Sequence, residues 1–194
     1  MSGSPEEPAA ATGAEAEDVQ LRVVADPEEM ERAGAALGRQ LRAGDLLVLS
    51  GPLGAGKTTF TRGLGRALGV REPITSPTFV LARTHPSLVG GPALVHVDAY
   101  RLADAAEVED LDLDLAASVV VMEWGAPFAP ALAEGWLELQ IERPVGAADA
   151  AGGGEGAASA TAAPTAPARE EPEPVEPRTL RLRRMGRFSR RIGW

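Results

Sequence analysis

The chain has 194 residues, enough for one domain, and 44% of them are hydrophobic although only 4% are aromatic. It has no cysteine, which excludes a disulfide framework and any thiolate metal site. A net charge of −9 argues against broad nonspecific nucleic-acid binding. With no apolar run of membrane-spanning length and no basic-then-apolar start, the chain reads as a cytoplasmic protein without membrane attachment.

Residues 1–18 are rich in Ala, Glu, Pro, Gly and Ser, the composition of a disordered tail, so the domain is expected to begin at 19. Residues 21–24 alternate as an edge strand. Asp26 then reads as a helix N-cap, with Pro27 at the first helical position and Glu29 closing a capping box. Met30, Ala33, Leu37 and Leu41 form one apolar stripe, and Gly44 is the expected stop.

Leu46–Ser50 is a short apolar strand. It runs into Gly51-Pro52-Leu53-Gly54-Ala55-Gly56-Lys57-Thr58, which fits the phosphate-binding pattern G-x-x-x-x-G-K-[ST]. A helix follows, with Phe60, Leu64 and Leu68 four apart and Gly69 as its stop. The residue types suit the chemistry. Polyphosphate must sit against bare backbone N–H groups, and Gly51, Gly54 and Gly56 allow the positive-φ turns this needs. The helix start adds unpaired N–H groups and a positive dipole end. Lys57 can reach the β- and γ-phosphates and the Thr58 hydroxyl can bind Mg²⁺. Lys57 is the only lysine among 19 basic residues, placed where a compact point charge suits phosphate.

Pro77 forces Ser76 extended, and Thr75, Ser76 and Thr78 crowd hydroxyls into a turn before an expected strand at 78–82. These hydroxyls suit either a γ-phosphate-sensing switch loop or an ordinary Ser-Pro turn. Ala93–Asp98 is an apolar strand ending in a carboxylate. Residues 104–115 look helical, with Val108, Leu111 and Leu115 inward. Residues 119–123 form a second apolar strand ending in a carboxylate, followed by Trp124. Residues 136–141 and 179–183 alternate as an antiparallel pair, separated by low-complexity sequence at 144–177. Residues 178–194 carry seven arginines and no acid, read as a solvated edge strand with a frayed end. His85 and His96 read as ordinary structural histidines.

Continuous apolar strands among helices indicate a sheet covered on both faces: an α/β fold with a mainly parallel centre and antiparallel edge strands. Ligands in such sheets bind at the carboxyl ends of the strands. Gly51, Asp98 and Glu123 all follow such ends. Either carboxylate could supply a hard oxygen to Mg²⁺, with the other ordering a water.

Gly51–Thr59, Ser76-Pro77-Thr78-Phe79, His96-Val97-Asp98-Ala99-Tyr100-Arg101-Leu102 and Glu123-Trp124, in that order, resemble the TsaE family. These are bacterial P-loop ATPases needed for the threonylcarbamoyl modification of adenosine 37 in certain tRNAs. The likeness covers roughly residues 20–143 and, more weakly, 178–187. It implies a three-layer P-loop fold and assigns ATP binding to Gly54, Ala55, Gly56, Lys57, Thr58 and Thr59. It places Mg²⁺ on Thr58 and Glu123, makes Asp98 the catalytic-site acid beside Lys57 and Glu123, and makes Ser76 and Thr78 a switch loop. Trp124 matches the aromatic beside the nucleotide, and Arg178 a late arginine near it. The implied partners are a threonylcarbamoyl-transferase subunit and its inactive paralogue, with tRNA met only through that complex. Three departures stand out: Met30 where many members have threonine, Gly125 where proline is frequent, and the insertion at 144–177.

Two other functions fit a phosphate loop. A small-molecule kinase would need an arginine-bearing lid, and 100–143 holds only Arg101 and Arg143. A GTP-binding switch commonly uses an Asn/Thr-Lys-x-Asp segment, and this chain has no Asn and no second Lys.

Overall fold

The computed structural model describes residues 19–143 and 176–194. The expected tail at 1–18 and residues 144–175 of the expected insertion lie outside them. Seven strands form one sheet in the order β1-β7-β6-β2-β5-β4-β3. They are β1 Gln20–Val24, β2 Leu46–Ser50, β3 Ala82–His85, β4 Ala93–Asp98, β5 Ser118–Glu123, β6 Gly135–Glu142 and β7 Arg178–Gly186. The central four, β6-β2-β5-β4, are parallel, and β1, β7 and β3 are antiparallel additions. Helices α1 Pro27–Gly38 and α2 Lys57–Leu68 are joined by two short ones, α3 Ala105–Glu109 and α4 Ala129–Leu132.

Strand alternation explains the layers. Leu47 and Leu49 of β2 and Val119 and Val121 of β5 join a core with Leu37, Phe60 and Leu64 of α1 and α2. Leu46, Val48, Val120 and Met122 face the other way, into a second core with Val108 and Ala129 of α3 and α4. A central strand buried on both faces must be apolar throughout, which is why β2 and β5 are continuous hydrophobic runs. No helix among the described residues is long and apolar enough to cross a membrane.

Several expected boundaries move. The α1 cap forms at Asp26, whose carboxylate accepts from Glu29 N–H at 2.7 Å. The Glu29 carboxylate, however, takes the N–H of Ala25, one residue outside the cap. The helix ends at Gly38, not Gly44. Gln40 and Leu41 donate to Leu37 and Gly38 carbonyls in tight turns, so Leu41 reaches the core from a turn. Gly44, at φ +92°, steers the chain into β2. The strand expected at 78–82 is a turn instead: Val80 and Leu81 N–H groups both donate to the Pro77 carbonyl, and Leu81 sits at φ +63°. β3 starts only at Ala82. The helix expected over 104–115 closes after Glu109, and Asp112 at φ +46° turns the rest into a loop that lays Leu111, Leu113 and Leu115 on the second core.

The basic C-terminal segment is neither at the sheet edge nor frayed. β7 lies between β1 and β6, and the chain then folds back under the molecule. Arg190 pairs with the buried Asp45 carboxylate and donates to the Gln40 carbonyl, Gln20 donates to Ile192, and Gln40 to Gly193. Ile192 is buried, and Trp194 meets Phe60 edge to face at 6.4 Å.

Glu142 and Thr179 are cross-strand partners at the ends of β6 and β7, so a tight turn can join these strands. Loop-closure cost rises by about 0.6 kcal/mol per doubling of length. Replacing 144–175 by a four-residue turn is therefore expected to stabilise the protein by about 1.4 kcal/mol. Urea denaturation checks this, and a lower midpoint would show that the segment contributes native contacts.

Candidate functional site

The site is built where β2, β4 and β5 end. Gly51 leaves β2 at φ +149°, and an added Cβ would lie 2.6 Å from the Ile141 carbonyl of β6. Gly54 and Gly56 follow at φ +73° and +106°, so the loop is a chain of backbone turns closed to other residues. Gly56 caps α2 in the left-handed conformation, and the helix starts without a side-chain cap. Its first N–H groups are thus left to whatever sits in the loop, an arrangement suited to an anion.

Parity brings the acids to this helix. Asp98 and Glu123 are paired across parallel β4 and β5, and both project to the α2 face. Asp98 is buried and accepts the Tyr100 N–H at 3.1 Å, so it also caps the 3-10 turn Ala99–Arg101. Glu123 Oε1 lies 3.4 Å from the Thr58 hydroxyl and 3.0 Å from His96 Nε2. Lys57 Nζ donates to the carbonyls of Gly51 and Pro52, at 2.9 and 3.2 Å, and stands 4.3 Å from the centroid of the Trp124 ring. Burial pushes the Lys57 ammonium below its ordinary pKa, while Glu123 and Asp98 pull it back up. Trp124 holds φ +62° with its N–H on the Leu49 carbonyl, and its indole also packs on Tyr100.

These groups share one cleft of about 680 Å³. Gly54, Ala55, Gly56, Lys57, Thr58 and Thr59 form its floor, Asp98, Glu123 and Trp124 one wall, and Ser76 and Thr78 another. The Ser76 and Thr78 hydroxyls bond each other at 2.7 Å, and Arg83 holds Thr75 at 3.0 Å. Arg178 lies elsewhere. It lines a smaller cavity of about 240 Å³ on the other flank of the loop, with Asp26, Met30, Thr59 and Glu176. Glu176 pairs with both Arg143 and Arg178. The loop is thus a saddle between two hollows.

Thr58, Asp98 and Glu123 offer the cleft oxygen donors, as Mg²⁺ requires. Among the described residues no group of three or more His, Cys, Asp or Glu could hold a metal alone. Mg²⁺ typically keeps few protein ligands and completes its shell with substrate phosphates and water, so Thr58 and Glu123 fit a metal that arrives with a nucleotide.

Sequence reasoning passed over His96. Its signal was available: His96 shares the parity of Asp98, and aligning β4 parallel to β5 brings it to Glu123. Gly125 also gains a reason. A Cβ there would lie 2.3 Å from the Met122 side chain, so Met122 accounts for glycine at this turn.

The sequence profile described as threonylcarbamoyl adenosine biosynthesis protein TsaE matches residues 24–148. A tRNA threonylcarbamoyladenosine biosynthesis protein TsaE from Streptomyces coelicolor is 61% identical over 120 residues, covering 60% of this chain and 81% of that protein. The Mycobacterium leprae protein of the same name is 51% identical over 125 residues, covering 60% and 78%. A crystal structure of Bacillus subtilis YdiB shares the fold, with a TM-score of 0.57 at 22% identity over 87% of this chain and 86% of that one. The mixed sheet with its central phosphate loop is a P-loop fold, and the chain belongs to the TsaE family of threonylcarbamoyl adenosine biosynthesis proteins.

Proposed function

We propose that the chain binds ATP with Mg²⁺ and hydrolyses it to drive or reset the complex that forms threonylcarbamoyladenosine at position 37 of tRNA. One observation carries the reading: the phosphate loop, the Thr58 hydroxyl and two strand-end carboxylates converge on a single cleft. The α2 N-terminus and glycine turns would hold the polyphosphate, and the adjoining hollow lined by Met30 and Arg178 would take the base and ribose. Lys57 leaves the Gly51 and Pro52 carbonyls for the β- and γ-phosphates. Thr58 and Glu123 hold Mg²⁺, which when bound neutralises charge on the phosphate oxygens. Asp98 would orient the attacking water, whose oxygen bonds the γ-phosphorus as the bond to the β,γ-bridging oxygen breaks, and ADP leaves with inorganic phosphate, which carries the water's protons. Ser76 and Thr78 close on the γ-phosphate as a switch.

The partners are a threonylcarbamoyl-transferase subunit and its inactive paralogue, with tRNA bound through them. Leu53 and Tyr100 on the cleft rim, with neighbouring Phe79, are large side chains standing in solvent, and a covering partner would bury them.

The test is ATP hydrolysis by the purified chain, alone and with those two subunits, with and without tRNA. A slow basal rate that rises several-fold with the subunits is expected. An unchanged rate would remove the partner assignment, and phosphate transfer to a metabolite in its place would make this a small-molecule kinase.

A further inference from the structure

The geometry points to His96 as a positioning residue that fixes which oxygen of Glu123 faces the metal. This rests on the Mg²⁺–nucleotide reading above. His96 is completely buried and Glu123 nearly so, at 0% and 4% exposure. An imidazole placed there must hydrogen-bond or lose the solvation of its ring nitrogens. Nε2 meets Glu123 Oε1 at 3.0 Å, while Nδ1 has no partner among the described residues.

That asymmetry assigns the tautomer. A proton on Nε2 donates to Glu123 and leaves Nδ1 as a bare acceptor. A proton on Nδ1 alone would bury an unpaired N–H, the rarer orphan. His96 is therefore a donor with one target. The same oxygen, Oε1, also lies 3.4 Å from the Thr58 hydroxyl, so two groups converge on it, one from β4 and one from α2. With Oε1 pinned between β4 and α2, rotation about the carboxylate axis is closed and Oε2 keeps its lone pairs for the cleft.

The backbone makes the pin rigid. His96 and Val121 are register partners on neighbouring parallel strands, and so are Asp98 and Glu123. Each of these side chains projects to the α2 face, so His96 stands one step behind Asp98 and reaches Glu123 diagonally. The arrangement is a carboxylate oriented by a histidine on a sheet buried on both faces, and none of it depends on a loop. Hydrogen bonds of this kind, behind a ligating group, typically govern metal affinity by 10–100-fold.

The experiment titrates Mn²⁺, as a paramagnetic stand-in for Mg²⁺, into the full chain saturated with a non-hydrolysable ATP analogue, read by electron paramagnetic resonance. Nucleotide affinity is measured separately in EDTA. His96→Leu is expected to weaken Mn²⁺ binding by about 10–100-fold and leave metal-free nucleotide affinity unchanged. His96→Gln, whose amide can reach Glu123, should restore most of the loss. His96→Asn, whose amide is too short, should not, and the Gln and Asn pair decides the matter if the leucine variant does not fold. Wild-type Mn²⁺ affinity in folded His96→Leu or His96→Asn would overturn the inference. Glu123→Gln is run beside them. If it too binds Mn²⁺ normally, the metal reading itself fails; if it alone is impaired, only the role of His96 fails.

Discussion

Glu123→Gln and Thr58→Ala should each slow Mg²⁺-dependent ATP turnover by about 10²–10³-fold, while metal-free nucleotide affinity changes by only a few-fold. The Thr58 hydroxyl meets Glu123 Oε1 between α2 and β5, and neither residue belongs to the glycine turns proposed to hold the phosphates. Losing either therefore removes stabilisation of transferring charge rather than ground-state binding. Lys57→Ala should differ in kind, lowering both binding and turnover. Its ammonium is tied to the Gly51 and Pro52 carbonyls, burial lowers its pKa, and Glu123 and Asp98 raise it. Single-turnover hydrolysis with parallel equilibrium binding separates the two patterns. Normal turnover by Glu123→Gln would transfer the metal role to Asp98.

Gly63→Ala should destabilise the fold by about 2 kcal/mol. α1 and α2 touch backbone to backbone. A Cβ on Gly63 would lie 1.9 Å from the Glu31 carbonyl oxygen, and one on Gly34 would lie 2.1 Å from that of Phe60. Neither oxygen can swing aside, because both belong to helix backbone. Overpacking of this severity costs about 3 kcal/mol, and the gain in helix propensity returns about 1 kcal/mol. Gly65→Ala is the control. Its Cβ would meet the Ile74 Cδ1 methyl, the flexible end of a side chain, so cost and propensity gain should nearly cancel. Urea midpoints at constant m-value measure both. Equal stability of the two variants would show that the helices can separate freely.

What the sequence made legible was whatever local chemistry fixes. The loop needs glycines, a lysine and a threonine in order, and β4 and β5 are apolar runs ended by acids. Those elements, and the cleft they enclose, stand where the residues put them. Partnerships across distance were invisible. Nothing near Gly63 says that Glu31 lies against it, and nothing near Arg190 says that Asp45 awaits it. Phe79 and Val80 have strand propensity, yet the Pro77 carbonyl captures two N–H groups and holds them in a turn. The apolar period of 104–115 is real burial, but Asp112 at φ +46° delivers it from a loop. His96 was judged alone, whereas its role comes from the neighbouring strand.

The sheet order has a consequence for synthesis. Among the described strands β1 pairs only with β7, Val24 opposite Arg178, so the first of them made must wait for the last. At 5–20 residues per second, a ribosome takes about 8–30 s to cover that interval. The parallel centre, with α1 and α2, has every strand partner it needs once β6 is out, while β1 stays unpaired with its hydrogen-bonding groups open. Adding β7 and β1 to the sheet must therefore follow synthesis of the rest of it, and beyond β7 Ile192 joins the core and Trp194 meets Phe60 of the helix that follows the phosphate loop. A nascent chain stalled before β7 would hold a formed loop and carboxylates on a sheet whose β6 edge is left open and whose β1 has no partner, a target for chaperones or for proteolysis.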